Sequence, residues 1–209
     1  MPENPDWLES FPAGTLFAMN RSFLCSFLLA FLIAGALTAS AQNKPQQSST
    51  APQTASNPAP AARPADVDTP EHLLAALYDV ISGPAGKRDW DRFRSLFYPG
   101  ARLMPSGKNP QGVLGVRVLT PDEYATRGQA FFDKEGFFEH SVANRTEFWD
   151  HIAQIWSTYE SRHAKDDAKP FARGINSLQL FNDGKRWWVL SVYWEAEDET
   201  HTIPEPYLH

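Results

Sequence analysis

Arg173-Gly-Ile-Asn-Ser-Leu-Gln-Leu-Phe-Asn-Asp-Gly-Lys-Arg-Trp-Trp-Val-Leu-Ser-Val-Tyr-Trp194 is the stretch whose reading decides the fold. Two runs rich in apolar, β-branched and aromatic residues flank Asn182-Asp183-Gly184-Lys185. Asp-Gly between such runs signals a β-hairpin, with Gly184 at the left-handed position. Large apolar groups occur on both parities of the second run: Trp187, Val189 and Tyr193 on one, Trp188, Leu190, Val192 and Trp194 on the other. A ribbon apolar on both faces must be covered on both. One cover can come from the chain's own helices, and the other implies a second sheet or a second subunit.

Upstream of the hairpin, two helices announce themselves by the same device. Thr69-Pro70-Glu71 and Thr120-Pro121-Asp122-Glu123 each place an N-cap, a proline at the first helical position and an early acid. The first helix carries Leu73, Leu74, Leu77, Val80 and Ile81 on one stripe and stops at Gly83-Pro84. The second device starts a helix running to about Lys134. Between them a short helix is expected from Asp89 to Phe97, ended by Pro99-Gly100, followed by short strands at Ala101–Met104 and Val113–Leu119. Phe137 to about Thr146 and His151 to about Glu160 alternate as strands. In the first, Phe138, His140, Val142 and Asn144 oppose Glu139, Ser141, Ala143 and Arg145. Helices first and antiparallel strands second make the domain α+β, with the helices gathered against a strongly curved sheet.

The first 68 residues read differently. Phe23–Leu37 is apolar, with Arg21 before it and Ala39-Ser40-Ala41 after it, the three parts of a secretory signal peptide. The run falls short of the roughly 20 residues of a membrane span, so no stable anchor is expected after cleavage. Residues 1–18 carry Glu3, Asp6 and Glu9 and no basic residue, so the start of the functional chain is expected at Met19, with 19–41 as the leader. Cys25, the single cysteine, lies within the apolar run and would leave with it. Residues 42–68 are Gln, Ser, Thr, Ala and Pro with almost no large apolar side chain, and read as a disordered tether. The folded domain is expected over 69–209, exported to the periplasm or beyond.

Several function classes fall away on composition. Net charge is −6 and the basic residues are scattered, so no stripe suits a phosphate backbone and nucleic acid is not expected as a partner. The six histidines are dispersed, and no metal spacing, phosphate loop, nucleophile elbow or dinucleotide fingerprint occurs. No metal or other cofactor is therefore expected.

The order of elements resembles the nuclear transport factor 2-like superfamily, in its SnoaL-like secreted bacterial branch. The residues that carry the resemblance are Asp89-Trp90 through Leu96-Phe97-Tyr98-Pro99-Gly100-Ala101-Arg102, Ile152-Ala-Gln-Ile-Trp-Ser-Thr-Tyr-Glu160, Gly174-Ile-Asn-Ser-Leu-Gln-Leu180, Asp183-Gly184-Lys-Arg-Trp187 and the closing Ile203-Pro-Glu-Pro-Tyr-Leu208. All are packing or turn motifs. The resemblance implies a cone of curved antiparallel sheet closed by about three N-terminal helices, a cystatin-like architecture, often dimeric through the outer sheet face and enclosing a pocket. It also implies a choice among isomerase, dehydratase or cyclase chemistry, small-molecule binding, and a purely structural dimerisation or accessory role. Catalytic members place an Asp or a His–Asp pair in the pocket, and no clean equivalent is visible here.

The candidate general bases are His140 and His151, histidine being the side chain whose ordinary pKa lies nearest neutrality. Neighbours along a strand face opposite ways, so Glu139 cannot orient His140, nor Asp150 His151. Asn176 and Gln179 are amides in a strand otherwise built for burial, on opposite parities, and either can fix a carbonyl or hydroxyl ligand or bond elsewhere in the fold. Tyr124, Asn144, Trp156, Tyr159 and Tyr193 complete the candidate lining for a small apolar or aromatic ligand, with core and interface packing as the alternative for the aromatic residues. The expected state is a homodimer through the sheet.

Overall fold

Thr69 caps the first helix, α1 (Pro70–Ile81), its hydroxyl accepting from His72 N at 3.1 Å. The helix buries Leu73, Leu74, Leu77, Val80 and Ile81, as the spacing requires, and also Tyr78. Leu73 is wholly inaccessible, which contributes about 2 kcal/mol of hydrophobic stabilisation. The computed structural model describes residues 59–109 and 111–209. The leader, the start at Met19 and the first part of the tether lie outside the described residues.

The second helix, α2 (Trp90–Ser95), is capped by Asp89, which accepts from Arg92 N at 3.0 Å. It is shorter than expected, because Val189 N donates to Leu96 O at 2.9 Å and Phe97 pairs with Val189 across the sheet. Tertiary pairing takes Phe97 out of the helix. The third helix, α3 (Pro121–Phe132), starts with a full capping box between Thr120 and Glu123.

Six strands form one curved sheet: β1 (Phe97–Lys108), β2 (Leu114–Val116), β3 (Phe138–Trp149), β4 (Ile152–Arg162), β5 (Ala172–Asn182) and β6 (Trp187–Ala196). Their order is β2-β1-β6-β5-β4-β3. The fold is α+β, with three α-helices among the described residues preceding most of the sheet, as expected. One pairing departs from an all-antiparallel sheet: β1 and β6 run parallel, joined by the long excursion through β2 to β5. β1 also runs on to Lys108 instead of ending at Met104, while β2 is only three residues, with Leu103 bridging Leu119 beyond it.

Asp183–Arg186 closes the β5–β6 hairpin. Gly184 takes φ +86°, and Asp183 Oδ1 accepts from Lys185 N and Arg186 N at 2.9 Å each. Two bulges then reset which face each side chain shares. Gln179 pairs with Ser191 but Leu180 with Val189, so Leu190 is the extra residue in β6. Past it, Val192 and Trp194 join Trp187 and Val189 on the helix-covered face and Tyr193 turns outward, a regrouping of the alternation read from the sequence. In β3 the extra residue is Val142, between the pairs Ser141↔Tyr159 and Ala143↔Thr158.

Ordered structure begins before Thr69. Pro64–Asp66 is a 3-10 turn, Val67 is buried, and Val67 O accepts from Trp187 N at 2.8 Å. Asp66 is held by Arg92 through Nε at 2.8 Å and Nη2 at 3.0 Å. The end of the expected tether is therefore part of the domain, recruited by ion pairs from Arg63 and Asp66 and by the Val67 side chain, none of which composition alone weighs.

Candidate functional site

Between the helices and the inner sheet face lies a cavity of about 70 Å³. Its walls are apolar: Leu77, Ile81, Phe93, Leu103, Phe137 and Trp194. Into it project six residues that bear polar groups, Tyr78, Tyr124, Glu139, Tyr159, Ser161 and Asn176.

Glu139 is the chemically distinctive member. Its backbone is pinned where α1 ends: Ser82 Oγ accepts from Glu139 N at 2.9 Å, and Gly83 and Phe137 exchange both backbone hydrogen bonds, at 2.7 and 2.9 Å. That stitching aims the side chain inward. Ser161, directly opposite on β4, donates its hydroxyl to Glu139 Oε2 at 2.7 Å. Some of the residue's surface stays accessible because it borders the cavity, yet protein surrounds the carboxyl closely enough that burial pushes its pKa up to about 7, against the smaller lowering effect of the Ser161 hydrogen bond.

The polar network around it is neutral. Tyr78 Oη meets Ser157 Oγ at 2.7 Å, and Asn176 Nδ2 donates to Tyr78 Oη at 3.0 Å. Either oxygen of the Tyr78–Ser157 pair can be the donor. Burial raises the pKa values of Tyr78, Tyr124 and Tyr159, and the Glu139 charge raises each further. All three phenols therefore stay protonated. Tyr159 lies flat against its cross-strand partner Gly174, where a Cβ would come within 2.5 Å of the phenol oxygen.

Tyr124, Tyr159 and Asn176 thus come together in the cavity, and the remaining sequence candidates do not join them. His140 is exposed on the opposite face of β3 from Glu139, across from Glu160. His151 sits in the exposed β3–β4 turn, 3.7 Å from Asp150. Neither imidazole reaches the cavity, because strand alternation sends one outward and the turn carries the other to the rim. Asn144 is exposed and donates to Ser141 Oγ at 2.9 Å, and Gln179 is exposed on the outer face. Trp156 and Tyr193 also face outward, where they line a second cavity. Glu139 was visible in the sequence on the parity opposite His140, but nothing there marked that parity as the inner one.

Among the described residues no cluster of His, Cys, Asp and Glu could hold a metal ion, and no helix is long and apolar enough to cross a membrane. The arrangement offers one titratable carboxyl, neutral phenolic donors and an apolar enclosure, which together suit proton transfer on a small uncharged molecule.

No family model matches the sequence, and no curated protein matches it. Among solved structures, the chain is similar to a protein of unknown function with a cystatin-like fold from Nostoc punctiforme PCC 73102, at 13% identity and TM-score 0.48, over 62% of this chain and 89% of that one. It is similar to an uncharacterised protein with a cystatin-like fold from Caulobacter vibrioides, at 15% identity and TM-score 0.44, over 62% and 88%. It is also similar to a candidate ketosteroid isomerase from Parabacteroides distasonis, at 10% identity and TM-score 0.43, over 64% and 91%. At these identities the likeness is one of fold alone.

Proposed function

We propose that the protein is an exported domain of the SnoaL-like kind that binds a small neutral carbonyl compound and moves a proton on it, with Glu139 as the base. The carrying observation is a carboxyl with a pKa near 7 inside an apolar cavity. A base is most effective when its pKa lies near the working pH, and a carboxylate raised to that range is a stronger base than an ordinary glutamate. Ser161 occupies Oε2, and Oε1 takes no hydrogen bond from the described residues, so Oε1 is the oxygen that meets substrate. In the forward step the carboxylate takes a proton from the carbon next to the carbonyl, and the electron pair moves to the carbonyl oxygen. The neutral phenol of Tyr159, on the cavity wall, is the donor that receives that charge. The protonated Glu139 then returns its proton to the same carbon, which exchanges the hydrogen, or to the far carbon of a conjugated enolate, which shifts the double bond; neither outcome needs a cofactor.

The cavity is far smaller than the roughly 300–1,000 Å³ of drug-sized sites, so the substrate is a small ketone or aldehyde. Hydrogen exchange of acetone and cyclohexanone in D2O, followed by NMR, tests the reading. The wild type should accelerate exchange saturably, with a rate that rises through an apparent pKa of about 7, and Glu139→Gln should lower it at least about a hundredfold. Exchange no faster than buffer, or equal in the Gln variant, refutes it.

Dimerisation through the outer face belongs to the same reading. There Trp149, Ile152, Phe181, Trp188 and Tyr98 form a continuous apolar row across five strands: the first four are successive cross-strand partners, and Tyr98 packs edge-on against Phe181 and Trp188 at 5.8 and 5.7 Å. Trp149 is 77% exposed and Ile152 55%, which is costly for a monomer. Sedimentation should give a dimer that Trp149→Glu dissociates, and a monomer in both refutes this part. Export rests on the apolar run Phe23–Leu37 and Ala39-Ser40-Ala41, and cell fractionation with N-terminal sequencing of the mature chain tests it.

A further inference from the structure

On the outer face of the sheet, away from Glu139, the C-terminal residues fold back across β4 and β5. Thr158 Oγ1 donates to Tyr207 O, Trp156 and Tyr207 meet edge to face with ring centres 5.8 Å apart, and Ile203 N donates to Glu197 Oε2 at 3.2 Å. Between this tail and the sheet a cavity of about 280 Å³ stays open, four times the volume of the inner one. Side chains of one chain build all of it.

Its chemistry differs from that of the inner cavity. The walls are Trp156, Ile175, Tyr193, Ile203, Pro204 and Tyr207, three of them aromatic. The polar lining includes Glu195, Glu197 and Asp198, and no arginine or lysine. Two of these carboxylates are already neutralised from behind: Glu197 by Arg173 Nη1 at 3.2 Å and Asp198 by Lys108 Nζ at 3.1 Å. Asp198 is further tied to Thr200 N and Oγ1 and to His201 N in a closed turn. Glu195 remains. Its carboxylate meets the Ser106 hydroxyl at 3.4 Å and no cation among the described residues. Tyr193 and Trp156 face the same way, both cross-strand partners of Ser177, so the leftover negative charge stands at the edge of an aromatic wall.

We propose that this outer cavity is a binding site for a small organic cation, an ammonium carrying methyl groups or a flat ring. Aromatic faces attract such a cation and shed little water in doing so, since the alkylated ammonium is weakly hydrated. Glu195 supplies the balancing charge. An anion of the same shape meets the unbalanced Glu195 carboxylate, and a neutral one forgoes the electrostatic part of the binding. The site is independent of proton transfer at Glu139.

Phenyltrimethylammonium chloride titrated into the purified protein, read by calorimetry and tryptophan fluorescence, tests the assignment, with sodium benzoate as the flat anion. Expected is saturable binding of the cation at one site per chain and none of benzoate. Tyr193→Leu keeps the apolar area and deletes the aromatic face, and should weaken binding about tenfold. Glu195→Gln should weaken it about threefold, less so as salt rises. Both side chains are exposed, so neither change threatens the fold. Glu139→Gln should leave cation binding unaltered. Benzoate binding as well as the cation, absence of saturable binding, wild-type affinity in both outer-face variants, or loss confined to Glu139→Gln each overturns the proposal.

Discussion

Replacing Glu139 with glutamine should make the protein harder to unfold above neutral pH and have little effect in acid. The folded-state pKa is about 7 against an ordinary 4.5, so this group titrates in the direction opposite to most carboxylates. Below pH 4.5 it is protonated folded and unfolded, and contributes nothing to the pH dependence. As pH rises past 4.5 the unfolded chain ionises first, and stability falls until the folded carboxyl ionises as well. Linkage between pKa values of 4.5 and 7 puts the penalty at about 1.4 kcal/mol at pH 5.5 and about 3 kcal/mol at pH 8. Glutamine keeps an oxygen to accept from Ser161 and carries no charge, so it escapes this penalty. Urea unfolding of both proteins at half-unit intervals from pH 5.5 to 8 should therefore show the stability difference, variant minus wild type, widening by about 2 kcal/mol. Other carboxylates cancel in the comparison. A difference flat with pH, or one that narrows, refutes the burial argument and with it the proposed base.

Gly174→Ala should destabilise the domain by about 3 kcal/mol, because the new methyl would collide with Glu195 O and with Tyr159 Oη, and thermal melting measures it. Arg92→Met breaks a largely buried pair with Asp66, at about 3 to 5 kcal/mol in chemical denaturation. The hydrogen bond from Arg92 holds the Asp66 carboxyl below its usual 3.8, so this stabilisation is present above pH 3.8 and lost as pH falls through the folded value; Asp66→Asn should flatten that acid limb. His140→Ala and His151→Ala should change ketone exchange by less than about twofold and leave its pH profile in place, since both rings are exposed outside the cavity. A shift of the apparent pKa in either would restore the imidazoles as candidates.

The parts of the fold set by local chemistry were legible in the sequence. Thr69-Pro70 and Thr120-Pro121 announced helix starts to the residue, and Asp183-Gly184 announced its turn, because each motif satisfies its own backbone groups. The separation of Asn176 from Gln179 followed from strand parity alone. What parity cannot reveal is which side is inside, and a bulge reverses the answer midway along a strand. Val142 and Leu190 do so here, which is why Val192 and Trp194 changed sides. Glu139 escaped notice for a related reason. Its importance lies in the distant groups that enclose it, Tyr78 from α1, Ser82 just past the end of that helix and Ser161 from β4, and sequence distance hides such neighbours.

The parallel pairing of β1 with β6 also bears on how the chain is made. β6 is the last strand synthesised, yet it lies in the interior of the sheet, between β1 and β5, and joins Arg102 to Ser191 across most of the domain. A nascent chain has no native seat for β1, or for Val67, until Trp187–Ala196 has left the ribosome. At about 5–20 residues per second, that leaves the earlier segments waiting for several seconds with their apolar stripes uncovered. Closure is then a single late event of high contact order, and every product truncated before β6 is an open form for chaperones and proteases to find.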